Sequence, residues 1–275
     1  MCGFVRFRSR LRCRKVEVLG GQTEHLKRLV ELVRYEHVRY RSGVTTSSQA
    51  PRSRRERPAK AALTREGIVS AAVTLMRTEG LEKTTMRRVA AELDTGAASL
   101  YVYVRNTAEL HAAILDRLLQ GLDLSPVTAS GCWRDRLVQM LFSYGLFLFE
   151  FPALARSALV SRPSGPGYLD LLEGLLALLD EGGVEPGRAA WGVDLLLQFA
   201  TATAAEQSTR DRALDAQDEI DAAAAAIRNV TALTHPHVAA LGEELMSGAD
   251  GERFSWGFHV LIDGVAHTPR PEPEI

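Results

Sequence analysis

From Leu63 onward apolar residues recur every three or four positions, and nowhere do they alternate with polar ones as in a half-buried strand. Ile68, Ala71, Ala72, Leu75 and Met76 mark one face of a helix that starts at Thr64, a good N-cap, and runs through Arg77 to Gly80. The polar pair Thr84-Thr85 leads into a short periodic run, MRRVAAEL. Asp94-Thr95-Gly96 makes a turn, and AASLYVY forms a second short run. Asn106 and Glu109 are spaced as an N-cap and its capping-box partner. They open a helix through about Gly121 with the stripe Leu110, Ile114, Leu118 and Leu119. Helices this short do not stand alone. Two of them joined by a tight glycine-containing turn have the layout of a helix-turn-helix.

Beyond Pro126 the pattern stays helical, with helices expected near 132–151, 153–161, 167–182, 186–210, 211–232, 237–247 and 252–266. Phe151-Pro152, the run from Arg162 to Gly167, Gly182-Gly183, His235-Pro236 and Ser247-Gly248 separate them. The expected fold is all-α, without an internal repeat. It has a small three-helix front domain (61–121) and a larger helical rear domain (122–268), followed by a short tail (269–275). Ahead of these lies a basic extension (1–60). Within it, residues 22–40 carry a helical apolar spacing, and residues 42–60, rich in Ser, Thr, Arg and Pro, read as a disordered linker.

Composition narrows the class. The 275 residues are 46% apolar, enough for one or two domains with a true core. No stretch approaches the length of a membrane span, and no apolar run of signal-peptide type follows the basic N-terminus. Cys2, Cys13 and Cys132 lack metal-ligand spacing and read as reduced thiols of a cytoplasmic protein. The net charge of −1 hides an asymmetry: residues 1–60 hold 16 Lys and Arg against 5 Asp and Glu, whereas 122–275 hold 10 against 22. A basic front and an acidic body suit a protein that meets a polyanion with one end, although a solvated tail gives the same count.

The two short helices supply chemistry for that polyanion. Arg87 and Arg88 lie on the first, and an arginine fork matches guanine O6 and N7. Ala97, Ala98 and Ser99 open the second, where small side chains let the backbone approach base edges. Tyr101, Tyr103 and Arg105 offer hydroxyls and a cation to phosphates, and the helix start at Asn106 offers free amides. Leu100 reads as core, and Arg88 is also spaced for an i,i+4 pair with Glu92.

Residues 63–118 resemble the TetR family of one-component transcriptional repressors. The likeness rests on LTREGIV, on TTMRRVAAEL, and on Leu100-Tyr101-Val102-Tyr103-Val104-Arg105-Asn106. It implies a homodimer on a DNA operator, with Arg87, Ser99, Tyr101, Tyr103 and Thr107 at DNA-contacting positions. The chain departs from the family in the turn, where Leu93-Asp94-Thr95-Gly96 replaces the usual Leu-Gly-Val. Ala97-Ala98 replaces larger contacting residues of tetracycline repressors, so a different operator is expected.

The rear domain resembles the tetracycline-repressor type more loosely, through Trp133 at a helix start and Arg162-Pro163 ahead of Tyr168. Family position then implies effector contacts at Met140, Tyr144, Ser161, Arg162 and Gly174, with Trp133 and Gln198 beside them; plain core packing explains the aromatics equally well. Leu122 and Ala158 stand where tetracycline repressors carry metal-holding histidines. Neither side chain binds a metal, so a magnesium-chelated drug is not expected, and His235, His237, His259 and His267 lack carboxylate partners. No metal or cofactor is called for. The helices near 186–210 and 252–266 carry broad apolar faces: Trp191, Leu195, Leu196 and Phe199 on one, Phe254, Phe258, Leu261, Ile262 and Val265 on the other. The resemblance makes them a four-helix dimer interface; burial against their own chain is the alternative. The Ala-rich, acidic stretch 211–229 reads as a mobile helix or gate beside the pocket. Ser99, His111 and Asp116 are residue types of a hydrolase, but no nucleophile elbow or phosphate-cradling glycine loop accompanies them, so no enzyme is expected. An architectural DNA-binding protein without effector control is the rival reading.

Overall fold

The structure, a computed structural model, describes residues 62–210, 216–248 and 251–271. The expected helix at 22–40, the linker at 42–60, Cys2, Cys13, residues 211–215 of the gate and the last residues of the tail lie outside the described residues.

α1 (Arg65–Glu79) begins where expected, with Thr64 Oγ1 accepting the Gly67 N–H at 3.0 Å. Gly80 ends it at φ 89, the left-handed region open to glycine, and donates its N–H to the Met76 carbonyl. α2 (Met86–Glu92) is capped by Thr85, whose Oγ1 accepts the Arg88 N–H at 3.2 Å. In the following turn the left-handed residue is Asp94 (φ 49), not Gly96 (φ −79). Aspartate tolerates this conformation better than most side chains, so the turn forms with its glycine displaced.

α3 (Ala97–Leu100) is shorter than the expected AASLYVY helix. From there the chain closes into a tighter turn, the Tyr103 N–H going to the Leu100 carbonyl at 2.9 Å rather than to that of Ser99. The Glu109 carboxylate takes the Arg105 N–H at 2.8 Å. Asn106 then turns extended and caps α4 (Thr107–Leu119), its Oδ1 accepting the Glu109 N–H at 2.8 Å. The capping box is thus displaced by one residue, since Glu109 caps Arg105 rather than Asn106.

A short 3-10 turn (Ser125–Val127) leads to the rear helices. α5 (Trp133–Glu150) and α6 (Pro152–Ala158) meet at an angle of 113° across Phe151-Pro152, where Pro152 ends the first hydrogen-bond ladder. α7 (Pro166–Glu181), α8 (Pro186–Arg210), α9 (Ala216–Arg228), α10 (Pro236–Met246) and α11 (Glu252–His267) complete the described α-helices. α8 is the central helix and packs on α5, α6, α7 and α11. Gly192 lets α11 come close, because a Cβ there would collide with Val265. Buried Phe258 joins Phe254 and Phe199 in an aromatic cluster between α8 and α11. Among the described residues no single helix is long and apolar enough to cross a membrane.

The faces of α8 and α11 are part buried and part exposed. Leu196, Phe254, Phe258, Ile262 and Val265 are buried within the chain, and Phe199 and Leu261 are half-buried. Trp191 and Leu195 on α8 remain exposed, and so do Trp256 and Val260 on α11.

α4 joins the front helices to the rear ones, packing on α1 on one side and on α6 and α7 on the other. Half-buried His111 sits at this junction, Nε2 3.4 Å from the Thr84 carbonyl and Nδ1 3.4 Å from the Ser157 hydroxyl. Burial pushes its pKa below 6.5, against a smaller opposing effect of the Thr84 carbonyl. The fold therefore favours neutral His111. This contribution to stability is complete above pH 6.5 and lost as acid protonates the unfolded chain preferentially. The melting temperature should fall more steeply between pH 7 and 5 in the wild type than in His111→Gln; parallel curves would refute the assignment.

Candidate functional site

The front helices present one exposed row. Arg87 on α2 and Ala98, Ser99, Tyr101, Tyr103, Arg105 and Thr107 along α3 and the start of α4 are all exposed, and Ala97 is half-buried at the turn. Beneath the row Leu100 and Val104 are completely buried and fix its register. The two arginines of α2 divide. Arg88 turns inward and binds Glu79 at 2.5 Å and Glu92 at 3.0 Å, and its guanidinium holds the Glu79 carboxyl below the usual carboxylate range. Arg87 is left to face outward. Arg105 meets Glu109 at 3.0 Å while its side chain stays 86% exposed. Val102, 80% exposed between the tyrosines, is an apolar member that sequence reasoning passed over.

In the rear domain the expected effector residues fall into three places. Tyr144 is the centre of the first. Its hydroxyl is buried and lies 3.0 Å from Thr201 Oγ1 on α8. Arg162, on the segment between α6 and α7, pairs with Asp194 of α8 and acts on both Tyr144 and Tyr168. Ser161 precedes it, half-buried. Two phenols, a hydroxyl and an ion pair thus gather where α5, α7 and α8 meet. Met140 and Gly174 form the second place, which is packed core: a Cβ on Gly174 would stand 2.8 Å from Val127 Cγ2 and 3.0 Å from Met140 Cε.

The third place splits again. Trp133 closes the far end of α7, where its ring fills the space beside Gly182 and Arg134 lies 4.8 Å above its centroid. It is eleven residues from Tyr144 on one helix, about 16 Å at helical rise. Gln198 is exposed on α8 and lines an open groove of about 420 Å³ with Ala190, Trp191, Asp194 and Leu195. Trp133 stands apart from the Tyr144 cluster, whereas Gln198 shares its groove with Asp194, the partner of Arg162. Thr201, Asp194 and Tyr168 complete the cluster and were not among the residues that family position singled out. The signal for Thr201 was its place in the apolar stripe of α8, seven residues before the equally buried Ser208.

Burial pushes the Tyr144 phenol up to about 12, partly offset by its hydrogen bond to Thr201. The folded state holds this proton more tightly than the unfolded chain, so the associated stability is full below pH 10 and disappears as the pH rises toward 12. Ultraviolet titration should show one tyrosine ionising well after the others, and Tyr144→Phe should remove that late step. Persistence of the step in the variant would place the buried phenol elsewhere.

Residues 68–114 match the family model described as bacterial regulatory proteins, tetR family. Residues 125–268, more than half of the chain, match the tetracyclin repressor-like C-terminal domain. A proposed transcription regulator from Streptomyces coelicolor is 52% identical, with a TM-score of 0.68 over 78% of this chain and 100% of its own. ActR from the same organism, solved with actinorhodin, is 33% identical at a TM-score of 0.64, over 74% of this chain and 96% of its own. The transcriptional repressor DrrR1 of Streptomyces coeruleorubidus is 31% identical over 77% of this chain and 80% of its own.

Proposed function

Because the chain belongs to the TetR family of DNA-binding transcriptional regulators, we propose that it acts in the cytoplasm as a homodimeric repressor, released from a palindromic operator by a small, largely apolar effector. The observation that carries the reading is the exposed row from Arg87 to Thr107, set over buried Leu100 and Val104 in a helix-turn-helix. In this reading residues 61–121 read DNA, residues 122–268 bind the effector and the partner, residues 1–60 add a basic extension, and residues 269–275 are a tail. Arg87, Ala97, Ala98 and Ser99 meet base edges, and Tyr101, Tyr103, Arg105 and Thr107 meet phosphates.

The exposed apolar side chains of α8 and α11 support the dimer. Trp191 is 57% exposed and Trp256 67%, with Leu195 and Val260 beside them, while the opposite faces of both helices are buried. Indole surface left this open marks an interaction site. Two recognition helices about 34–36 Å apart would then read two half-sites. The effector site is the cluster of Tyr144, Thr201, Tyr168 and Arg162, and the complex of ActR with actinorhodin supports control by a small molecule. Such a ligand shifts the protein toward a form unable to match both half-sites, by its difference in affinity for the two forms.

Selection of bound duplexes from a random pool tests the proposal. An enriched palindrome is expected, and Arg87→Ala should weaken it by about 1–3 kcal/mol, the usual worth of a base-reading arginine. Salt-sensitive binding with no enriched sequence would instead mark an architectural DNA-binding protein.

A further inference from the structure

α7 starts without a capping side chain of its own. Its N-cap is Gly165, and Pro166 is its first helical residue. The cap comes from α4: Asp116 Oδ1 accepts the Tyr168 N–H at 2.9 Å, and Asp116 is buried. The approach is close. A Cβ on Gly165 would collide with the Asp116 carboxylate, and one on Gly167 with the Asp116 carbonyl oxygen. At the other end of the connection, the Ser157 hydroxyl of α6 lies 3.4 Å from Nδ1 of His111, which is also on α4. Both ends of the segment between α6 and α7 are therefore fastened to one helix of the front unit.

That segment carries Ser161 and Arg162, and Tyr168 stands just beyond it. The Tyr168 side chain belongs to the cluster with Arg162 and Tyr144, while its backbone N–H belongs to Asp116. One residue thus serves the effector cluster and the front unit at once.

We infer that Asp116 is a positioning residue that couples the effector cluster to the DNA-reading helices, an inference that rests on the proposed function. A molecule that displaces Arg162 or Tyr168 either carries α4 with it or breaks the hydrogen bond to a buried carboxylate, one of the stronger kinds. Coupling between two sites is reciprocal, so DNA on the front helices must in turn be felt at Tyr168.

This reciprocity allows a test without the effector: hydrogen–deuterium exchange of the full chain, with and without a duplex from the selection above. In the wild type the duplex should slow exchange at residues 97–107 and also, by about tenfold, at Gly167 and Tyr168. In Asp116→Ala the protection at 97–107 should persist while the remote protection vanishes. Gly165→Ala, which displaces the carboxylate without removing it, should act alike, and Asp116→Asn, which keeps an acceptor oxygen, should restore much of the effect. A cap with only a structural role would raise Tyr168 exchange equally with and without DNA. Absence of remote protection in the wild type, or its survival in both disruptive variants, overturns the inference alone. Absence of protection at 97–107 defeats the DNA-reading proposal and the coupling with it.

Discussion

Phe258→Ala is expected to lower stability by roughly 3–5 kcal/mol, the usual cost of deleting a fully buried ring. Phe258 has no exposed surface, and its ring meets Phe254 at 4.7 Å and Phe199 at 5.2 Å between centroids. Phe254 in turn reaches Phe142 and Phe149 of α5, each at 5.7 Å. The neighbours collapse poorly into the void, because the backbones are already close: a Cβ on Gly257 would collide with Phe199, and one on Gly145 with Phe254. For a domain of this size each kcal/mol shifts the melting temperature by about 2–4 °C, so a drop of roughly 6–20 °C should appear in calorimetry. Self-association should weaken too, since Trp256 and Val260 are displayed by the same helix. A shift below about 2 °C would show that the ring is not a keystone of the core.

Leu100→Ala should cost roughly 2–5 kcal/mol, and its effect should appear in DNA binding before it appears in global melting. α3 has four residues, too few to hold a helix by its own hydrogen bonds. Leu100 is its only buried residue, and Val104 is the next anchor along the chain. With the leucine truncated, Ser99, Tyr101 and Tyr103 lose their common register. If even 2 kcal/mol is lost from the complex, affinity for a selected duplex falls about thirtyfold. Fluorescence anisotropy with the duplex, beside a melting curve, separates the two effects. Unchanged affinity would mean that the row is held by something other than Leu100.

Sequence periodicity located the helices well because their ends are local events. The expected helices at 186–210 and 252–266 are Pro186–Arg210 and Glu252–His267, set by proline starts and glycine breaks that act within a residue or two. The misjudged features are set by turn closures and packing that no periodicity records. α3 gives way to a tighter turn, with the Tyr103 N–H on the Leu100 carbonyl, and the preceding turn places its left-handed residue at Asp94. An apolar stripe shows that a face is buried, but not whether its own chain or another covers it. This is why Phe258 and Trp256, two residues apart on α11, had to be separated by the structure. The Tyr144 cluster was half legible: Tyr144 and Arg162 belong to it, but Thr201 reaches Tyr144 from 57 residues away, and no local pattern records that meeting. Trp133 stands apart for the same reason, since position along a helix says little about which neighbour a side chain meets.

The borrowed cap on α7 has a consequence for how this architecture can be recombined. A helix that begins at a glycine and takes its capping carboxylate from the front unit carries only half of its own start signal. Grafting this rear domain onto the DNA-reading unit of another family member would leave that start unfinished unless the donor supplied an aspartate at the place of Asp116. The two domains are thus interchangeable only as matched pairs, and a chimera that restores this one carboxylate should recover order in the first turn of α7 that an unmatched chimera lacks.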